Sequence, residues 1–255
     1  MKIVTPVSHL FKHHSSLIIE NSDILELRDH DTLPNFHEDL YHSELNILAK
    51  WEKEEIDKLE GISTKHKSLI GVSFHIMSKY NNNKQMEIGI KPFEGIGNPM
   101  TRQEMMINVE KNCSMARKLF GKNIIILAEN INHLLTDAYD EIVEPKFIKE
   151  VIENNGIFLL LDIAHAEITC INKNKDLVEY LKALPLDKCL QIHLSRLEIK
   201  HGKAYDAHNA LEKKDWEMFK NILKLTKNAR FVTLEYYRDI DILIIMLKKL
   251  RKEIQ

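Results

Sequence analysis

The sequence has little glycine, little proline and no excess of either charge, and each shortage disfavours a class of protein. Its 255 residues include 8 Gly and 6 Pro, whereas average usage gives roughly 18 glycines in a chain of this length. The motifs G-x-G-x-x-G, G-x-x-x-x-G-K-[ST] and G-x-S-x-G do not occur, so glycine-built phosphate loops and the nucleophile elbow of hydrolases are disfavoured. The formal net charge of -2 gives no general attraction for nucleic acid.

Cysteine and long apolar runs are scarce as well. Cys113, Cys170 and Cys189 are widely spaced and form no C-x-x-C pair, which favours neither a disulfide framework nor a thiolate zinc site. The first residues show no signal-peptide pattern, and the sequence contains no apolar stretch long enough to span a membrane. We therefore expect a cytoplasmic protein that binds neither nucleic acid nor a membrane.

The sequence does contain a regular alternation of short apolar runs with longer amphipathic segments. Runs such as Ile157–Leu161 are almost unbroken, as in parallel strands that are buried on both faces. Helical patterns such as His42–Lys58 and Thr101–Phe120 separate the runs, which predicts α/β class and a single (β/α)8 TIM-barrel domain over residues 1–255. The eight predicted strands are Lys2–Thr5, Ile24–Leu27, Leu69–His75, Glu87–Lys91, Ile124–Glu129, Ile157–Asp162, Cys189–Leu194 and Phe231–Glu235.

Histidines and carboxylates occur at the ends of five predicted strands. In a β/α barrel, the carboxyl ends of all strands meet at one rim, where active sites form. Charged side chains that enter a barrel mouth are costly unless they pair or bind a cation. The sequence therefore predicts a metal site at this rim. The strand-end residues are His75, Glu129, Asp162, His193 and Glu235.

Two further motifs add candidate ligands to the same rim. His165 follows Asp162 by three residues, and the segment Asp206-Ala207-His208 places its Asp and His on one side of an extended chain. Mixed histidine and carboxylate ligands without thiolate suit zinc, iron or manganese. One ion does not use all these ligands, so we expect about two or three ions bridged by a carboxylate such as Glu129.

Each of these residues also has a structural interpretation when it is taken alone. Asp162 is suited to cap a helix, and Glu235 is suited to pair with Arg238. His133, four residues after Glu129, is a candidate supporting residue behind the ligands. Most of the other histidines, His42 among them, have no comparable placement, and we expect them at the surface.

Several segments resemble the multinuclear non-heme iron-dependent oxidative enzymes, the family that includes the methanobactin-biosynthesis oxidase. The resemblance is carried by Leu159–His165, Tyr180–Asp187 and Ile192–Leu194, with Phe74–Met77, Glu129-Asn130, Asp206–His208, Trp216 and Thr233–Glu235 in matching order. It implies an enzyme that uses iron and O2 to modify a cysteine-containing ribosomal precursor peptide. It also implies a separate peptide-binding partner protein.

The resemblance extends to the wider superfamily of xylose-isomerase-like TIM barrels, which includes endonuclease IV, and it implies a xylose-isomerase-like barrel fold. It also implies an assignment of the ligands. Glu129 would bridge ions, His75 would contribute to a third ion, and Lys91 stands where a second early histidine is expected. A protonated lysine does not ligate, so Lys91 is at most a supporting residue and a two-ion site is an alternative to three. The resemblance implies a central ion held by Asp162, His193 and Glu235, and another held by His165, Asp206 and His208.

Two other functions are open. A sugar isomerase or epimerase would use Glu129 and Glu235 beside one divalent ion, although the Asp206-x-His208 motif is superfluous to that chemistry. An endonuclease IV-like phosphodiesterase would use clustered zinc ions, although the balanced charge gives no attraction for DNA. We expect the iron-dependent oxidase first, with zinc or manganese as the alternative metals.

Overall fold

Eight parallel strands, each paired with two neighbours, close into a barrel. The computed structural model describes residues 1–29, 39–86 and 92–254. The described strands are β1 (Lys2–Pro6), β2 (Ile24–Arg28), β3 (Leu40–Asn46), β4 (Gly71–Ile76), β5 (Asn82–Gln85), β6 (Phe93–Ile96), β7 (Ile125–Asn130), β8 (Phe158–Asp162), β9 (Cys189–Leu194), β10 (Arg196–Lys200), β11 (Lys203–Asn209) and β12 (Phe231–Leu234). The barrel order is β1-β12-β9-β8-β7-β4-β3-β2, and the other described strands form two antiparallel hairpins, β5-β6 and β10-β11.

Amphipathic helices lie between most of the consecutive barrel strands, so the predicted TIM barrel is confirmed. The longest described helix, α3 (Arg102–Phe120), begins at a reciprocal cap between Thr101 and Glu104 and ends before Gly121, whose φ is 107°. In the described ranges no helix is both long and apolar enough to cross a membrane. The helices are α1 (His9–Asn21), α2 (Lys53–Lys65), α3 (Arg102–Phe120), α4 (Pro145–Asn155), α5 (Ile163–Lys173), α6 (Leu177–Ala183), α7 (Lys213–Leu225) and α8 (Ile240–Glu253).

The third barrel strand is not where the sequence predicts it. Leu40–Asn46 pairs with β2 and β4, so the helix predicted over His42–Lys58 is wrong at its start and α2 begins only at Lys53. The predicted strand Glu87–Lys91 lies outside the described residues. In the barrel, β4 pairs directly with β7.

The barrel interior is apolar at its amino-terminal end and polar at its mouth. Side chains alternate along each strand, so in β2 the buried Leu25 and Leu27 join the core between strands and helices, whereas Glu26 faces the interior. The amino-terminal end of the interior is filled by two small apolar clusters, Val4, Ile24, Leu40 and Phe231, and Leu127, Leu160 and Leu190. This apolar floor leaves the carboxyl ends of the strands to form the site.

Candidate metal centre

The parallel register brings the strand-end residues to one level of the barrel. His75 is the register partner of Glu129, Asp162 is the partner of His193, and Glu235 directly follows β12 beside β9. Glu129, Asp162, His193 and Glu235 are each at most 3% exposed. A buried group of this charge requires internal partners or a cation.

Glu129 lies at the centre of the cluster, with imidazoles on both of its oxygens. Its Oε2 is 2.8 Å from His75 Nε2, and its Oε1 is 3.2 Å from His193 Nδ1 and 3.6 Å from His165 Nδ1. Burial opposes ionisation of Glu129, but the neighbouring histidines outweigh it and hold its pKa well below the usual range. Glu129 is therefore an anion that faces two sides of the mouth, as a bridging carboxylate does.

His42 belongs to this cluster, which corrects the expectation that it lies at the surface. It is buried on β3, and its Nε2 lies 3.3 Å from Glu129 Oε2. Its Nδ1 is 2.8 Å from Ser73 Oγ, and His75 Nδ1 is 3.1 Å from the Ser43 carbonyl oxygen. Burial and then the charge of Arg28 lower the pKa of His42 to about 3. Its imidazole is therefore neutral, which is the form that ligates metals.

His42 places a second imidazole beside His75, where the sequence offered only Lys91. Lys91 lies outside the described residues. The sequence gives no clear signal for His42, because polar residues replace apolar ones in its strand, LYHSELN, and a helix-like pattern follows.

Asp162 has both a structural and a chemical position. Its Oδ1 accepts a 2.6 Å hydrogen bond from the His165 backbone N–H and so caps α5. Burial, together with the charges of Glu129 and Glu235, raises the pKa of Asp162 to about 7 despite the nearby His165. A cation bound at the second oxygen, Oδ2, would favour the ionised carboxylate and so lower this pKa.

The hairpin β10-β11 supplies the last two predicted ligands. His208 Nε2 lies 3.0 Å from Asp206 Oδ2 and 3.6 Å from Glu235 Oε2, and Asp206 Oδ2 is also 3.7 Å from His165 Nε2. His208 has a φ of 44°, a left-handed backbone conformation that costs a non-glycine residue about 1 kcal/mol or more. Such strain is typical of a functional position held by its surroundings.

These donors form three overlapping groups that fit metal ions. In each group the ligand atoms lie within 4.8 Å of one another, and Glu129 and Asp162 are each shared by two groups. Among these donors, Asp162 Oδ2 is buried and has no hydrogen-bond partner, whereas Glu129 Oε2 and His193 Nδ1 contact other members of the cluster. Buried polar atoms are nearly always hydrogen bonded, so an unpartnered carboxylate oxygen among these donors fits a cation. The groups are His42, His75 and Glu129; Glu129, Asp162 and His165; and Asp162, His193 and Glu235.

All eight predicted ligands lie at or beside the mouth, whereas His133 does not touch them. His133 Nε2 lies 3.6 Å from Asp140 Oδ1, and its ring packs against Tyr139. Among the contacts given for the described residues, it has none with the donor groups. Glu26 and Arg28 on β2 were missed: Arg28 Nη2 contacts Glu26 Oε1 at 2.5 Å and Glu235 Oε1 at 2.6 Å. A charged residue in the middle of an otherwise apolar predicted strand was the available signal.

A cavity of about 610 Å³ opens above the donors. One part of its wall is apolar, formed by Met77, Phe93 and Ile131, and the rest carries the charged residues of the mouth. A larger groove of about 740 Å³ lies on the outer side of the β10-β11 hairpin. The volume of the inner cavity lies within the range of about 300–1,000 Å³ that is usual for ligand pockets.

Fold and site together define the chain as a TIM barrel with a histidine- and carboxylate-lined mouth. A xylose isomerase-like TIM barrel protein from Mycobacterium smegmatis, solved in complex with magnesium, has a TM-score of 0.61 at 11% identity and covers 99% of this chain and 96% of its own. The apo form of 3-keto-D-glucoside 4-epimerase from E. coli has a TM-score of 0.59 at 12% identity and covers 99% and 98%. At such low identity, these likenesses show the fold alone.

The chain belongs to the RiPP precursor modification enzyme MbnB/TglH/ChrH family, which matches residues 94–255. The resemblance noted in the sequence is thereby confirmed. A UPF0276 protein of Caulobacter vibrioides is 34% identical over 97 residues, which are 38% of this chain and 34% of that relative. A UPF0276 protein of Acaryochloris marina is 26% identical over 128 residues, 49% of this chain and 46% of that relative. The matches thus span less than half the length of either relative.

Proposed function

We propose that the chain is an enzyme that uses O2 and about two or three iron ions at the barrel mouth to modify a cysteine-containing precursor peptide. Membership of a family of RiPP precursor modification enzymes supports a ribosomally made peptide as the substrate class. The observation that carries the metal-dependent part is the buried and unpartnered Asp162 Oδ2 within three overlapping groups of histidine and carboxylate donors.

The donor chemistry supports iron over magnesium or calcium. Each of the three groups contains at least one imidazole beside its carboxylates, and imidazole suits iron, zinc and manganese-type sites better than an all-oxygen set does. No cysteine is among the donors, because the three cysteines of the chain are buried elsewhere as free thiols. A substrate thiolate would therefore meet no competing protein thiolate at the ions.

Charge balance supports more than one divalent ion. With neutral histidines, the carboxylates of Glu26, Glu129, Asp162, Asp206 and Glu235 exceed the single guanidinium of Arg28 by four negative charges. Two divalent ions balance this excess, and a third would be balanced by anionic substrate atoms such as a thiolate. His42 completes the group around His75, which supports the three-ion arrangement that Lys91 had put in question.

The protein residues would bind, orient and shield the substrate. When bound, iron would supply the redox chemistry and open positions for a thiolate and O2. Met77, Phe93 and Ile131 would hold the peptide against the donors by apolar contact, and the 610 Å³ cavity would limit access of water. His75 and His42, whose Nδ1 atoms are engaged by the protein, would keep Nε2 directed at the ion.

The test is metal analysis of protein purified without oxygen, followed by reaction with a cysteine-bearing peptide encoded beside the gene. We expect about two or three irons per chain and a change in peptide mass that requires O2. About one manganese or zinc per chain with epimerisation of a sugar would contradict the proposal, as would zinc with cleavage of abasic DNA. The fold likeness to an epimerase does not by itself favour sugar chemistry, because one fold hosts many reactions.

A further inference from the structure

Glu26 is a buried carboxylate that touches the far side of the His193 ring. It faces the barrel interior from β2 and has no exposed surface. Its Oε2 lies 3.6 Å from His193 Nε2. The opposite nitrogen, His193 Nδ1, faces Glu129 Oε1 at 3.2 Å and Glu235 Oε1 at 3.5 Å. His193 is thus placed between the metal donors on one side and Glu26 on the other.

The neighbours of Glu26 leave it as the acceptor for His193. Gln191 Nε2 donates to Glu26 Oε2 at 2.5 Å and to Thr233 Oγ1 at 2.8 Å. These two bonds use both protons of the amide, so the approach of Gln191 Nε2 to within 3.2 Å of His193 Nε2 adds no third donation. Glu26 Oε2 is therefore the remaining partner for a proton on His193 Nε2, just beyond hydrogen-bond length.

Arg28 joins this pair to a metal ligand. Its Nη2 contacts Glu26 Oε1 and Glu235 Oε1 at 2.5 and 2.6 Å. A single guanidinium therefore fixes the supporting carboxylate and a donor carboxylate in one arrangement. An imidazole ligates through one nitrogen when the other carries the proton, and a carboxylate that accepts this proton fixes the tautomer and raises ligand basicity.

We propose that Glu26 is a positioning residue that holds the proton of His193 on Nε2 and directs Nδ1 to the metal, with Arg28 locking Glu26 to Glu235. The inference rests on the proposed function, because it requires a metal at His193. It assigns to β2 a role in tuning the central donor group, although β2 supplies no member of the three groups.

The test is a double-mutant cycle read out by cobalt(II) binding, with cobalt competed against a chelator and followed by its ligand-field absorption. Glu26→Gln is expected to weaken cobalt binding about 10–100-fold, the usual cost of losing a carboxylate behind a ligating histidine. In the His193→Ala background, Glu26→Gln should add nothing, because the supported ligand is gone. Asp215→Asn is the matched control: it neutralises another buried carboxylate that faces an arginine, Arg196, away from the three groups.

Additive losses in the cycle, or wild-type affinity in Glu26→Gln, would overturn the inference while leaving the metal centre intact. Wild-type protein that binds no cobalt at the mouth would overturn the inference and the proposed function together. A second measurement avoids dependence on folding of the Glu26 variant. In zinc-loaded wild-type protein labelled with ¹⁵N-histidine, His193 should carry its proton on Nε2, and a proton on Nδ1 would contradict the proposal. The signal is assigned by its loss in His193→Ala.

Discussion

The two sides of the barrel mouth hold their donors in different ways. His42 and His75 come from adjacent barrel strands, and His42 has a side chain that is 4% exposed. Asp206 and His208 come from a hairpin outside the barrel, and the His208 side chain is 35% exposed. The strand side, which carries His42 and His75, is held by parallel strand pairing on both edges. On the hairpin side, which carries Asp206 and His208, each strand has a single described partner.

The histidines of the two sides also differ in how readily they take the neutral form that ligates a metal. Burial lowers the pKa of His42, so its imidazole is already in the ligating form. For His208, burial is outweighed by the carboxylates of Glu235 and Asp206, which raise its pKa. A metal must displace that proton before His208 ligates. The strand side is therefore preorganised for an ion, whereas on the hairpin side His208 must first lose a proton.

The largest expected effect is from Glu129, which both sides of the mouth share. Glu129→Gln keeps the size of the side chain and removes the charge that faces four imidazoles. We expect the metal content of anaerobically purified protein to fall at least about tenfold, because outer supporting groups alone cost 10–100-fold. Elemental analysis measures this, and circular dichroism checks the fold.

The matched control is Glu167→Gln, a half-buried carboxylate on α5 that belongs to none of the three groups. It should leave the metal content unchanged. Retention of all ions in Glu129→Gln would mean that the two sides bind ions independently and that Glu129 does not link them.

The second prediction compares how much metal affinity is lost when one histidine is removed from the strand side or from the hairpin side. His42→Ala should weaken cobalt(II) binding more than about 100-fold, beyond the cost of an outer supporting group, because the rigid strands offer no replacement donor. His208→Ala should cost only about tenfold, since water can replace an exposed ligand on a hairpin at less cost than in the interior. Chelator competition measures both affinities.

His13→Ala, at an exposed position on α1, is the control for loss of a histidine as such. Equal losses in His42→Ala and His208→Ala would show that both sides are equally preorganised. A larger loss in His208→Ala would show that the hairpin side is the better preorganised of the two.

The same contrast explains what could be predicted from the sequence. β7 and β8 are nearly continuous apolar runs, because both faces of these strands are buried, and their terminal Glu129 and Asp162 stood out against that background. β3 has the sequence LYHSELN, with buried His42 and Ser43 in place of apolar residues. The residues that build the site removed the pattern that would have revealed the strand, and the next segment reads as a continuous helix.

Glu26 and Arg28 were missed for a related reason. Both alternate with leucines in β2, so the alternation predicts a strand at Ile24–Leu27 but does not distinguish residues of the site from an ordinary polar face. Sequence spacing does not reveal that β2 lies close enough to β9 and β12 for Arg28 to reach Glu235, because that contact spans 207 positions. The closed barrel alone brings them together.

The smallest expected effect tests whether the hairpin side depends on its turn. His201 and Gly202 join β10 to β11, and both have positive φ, 50° and 74°. This is the two-residue turn that favours glycine at its second position. A Cβ added at Gly202 meets nothing within 4 Å, so Gly202→Ala acts only through the backbone and should destabilise the hairpin by about 1 kcal/mol.

Because about 1.4 kcal/mol corresponds to a tenfold change in an equilibrium constant, that loss should weaken cobalt(II) binding by about fivefold. Gly61→Ala is the matched control, since Gly61 lies within α2 and its added Cβ also meets nothing within 4 Å. Alanine favours a helix interior by about 1 kcal/mol over glycine, so this variant should raise the unfolding temperature and leave cobalt affinity unchanged. If Gly202→Ala also leaves the affinity unchanged, the hairpin is held by its packing on α5, and the hairpin side is as rigid as the strands.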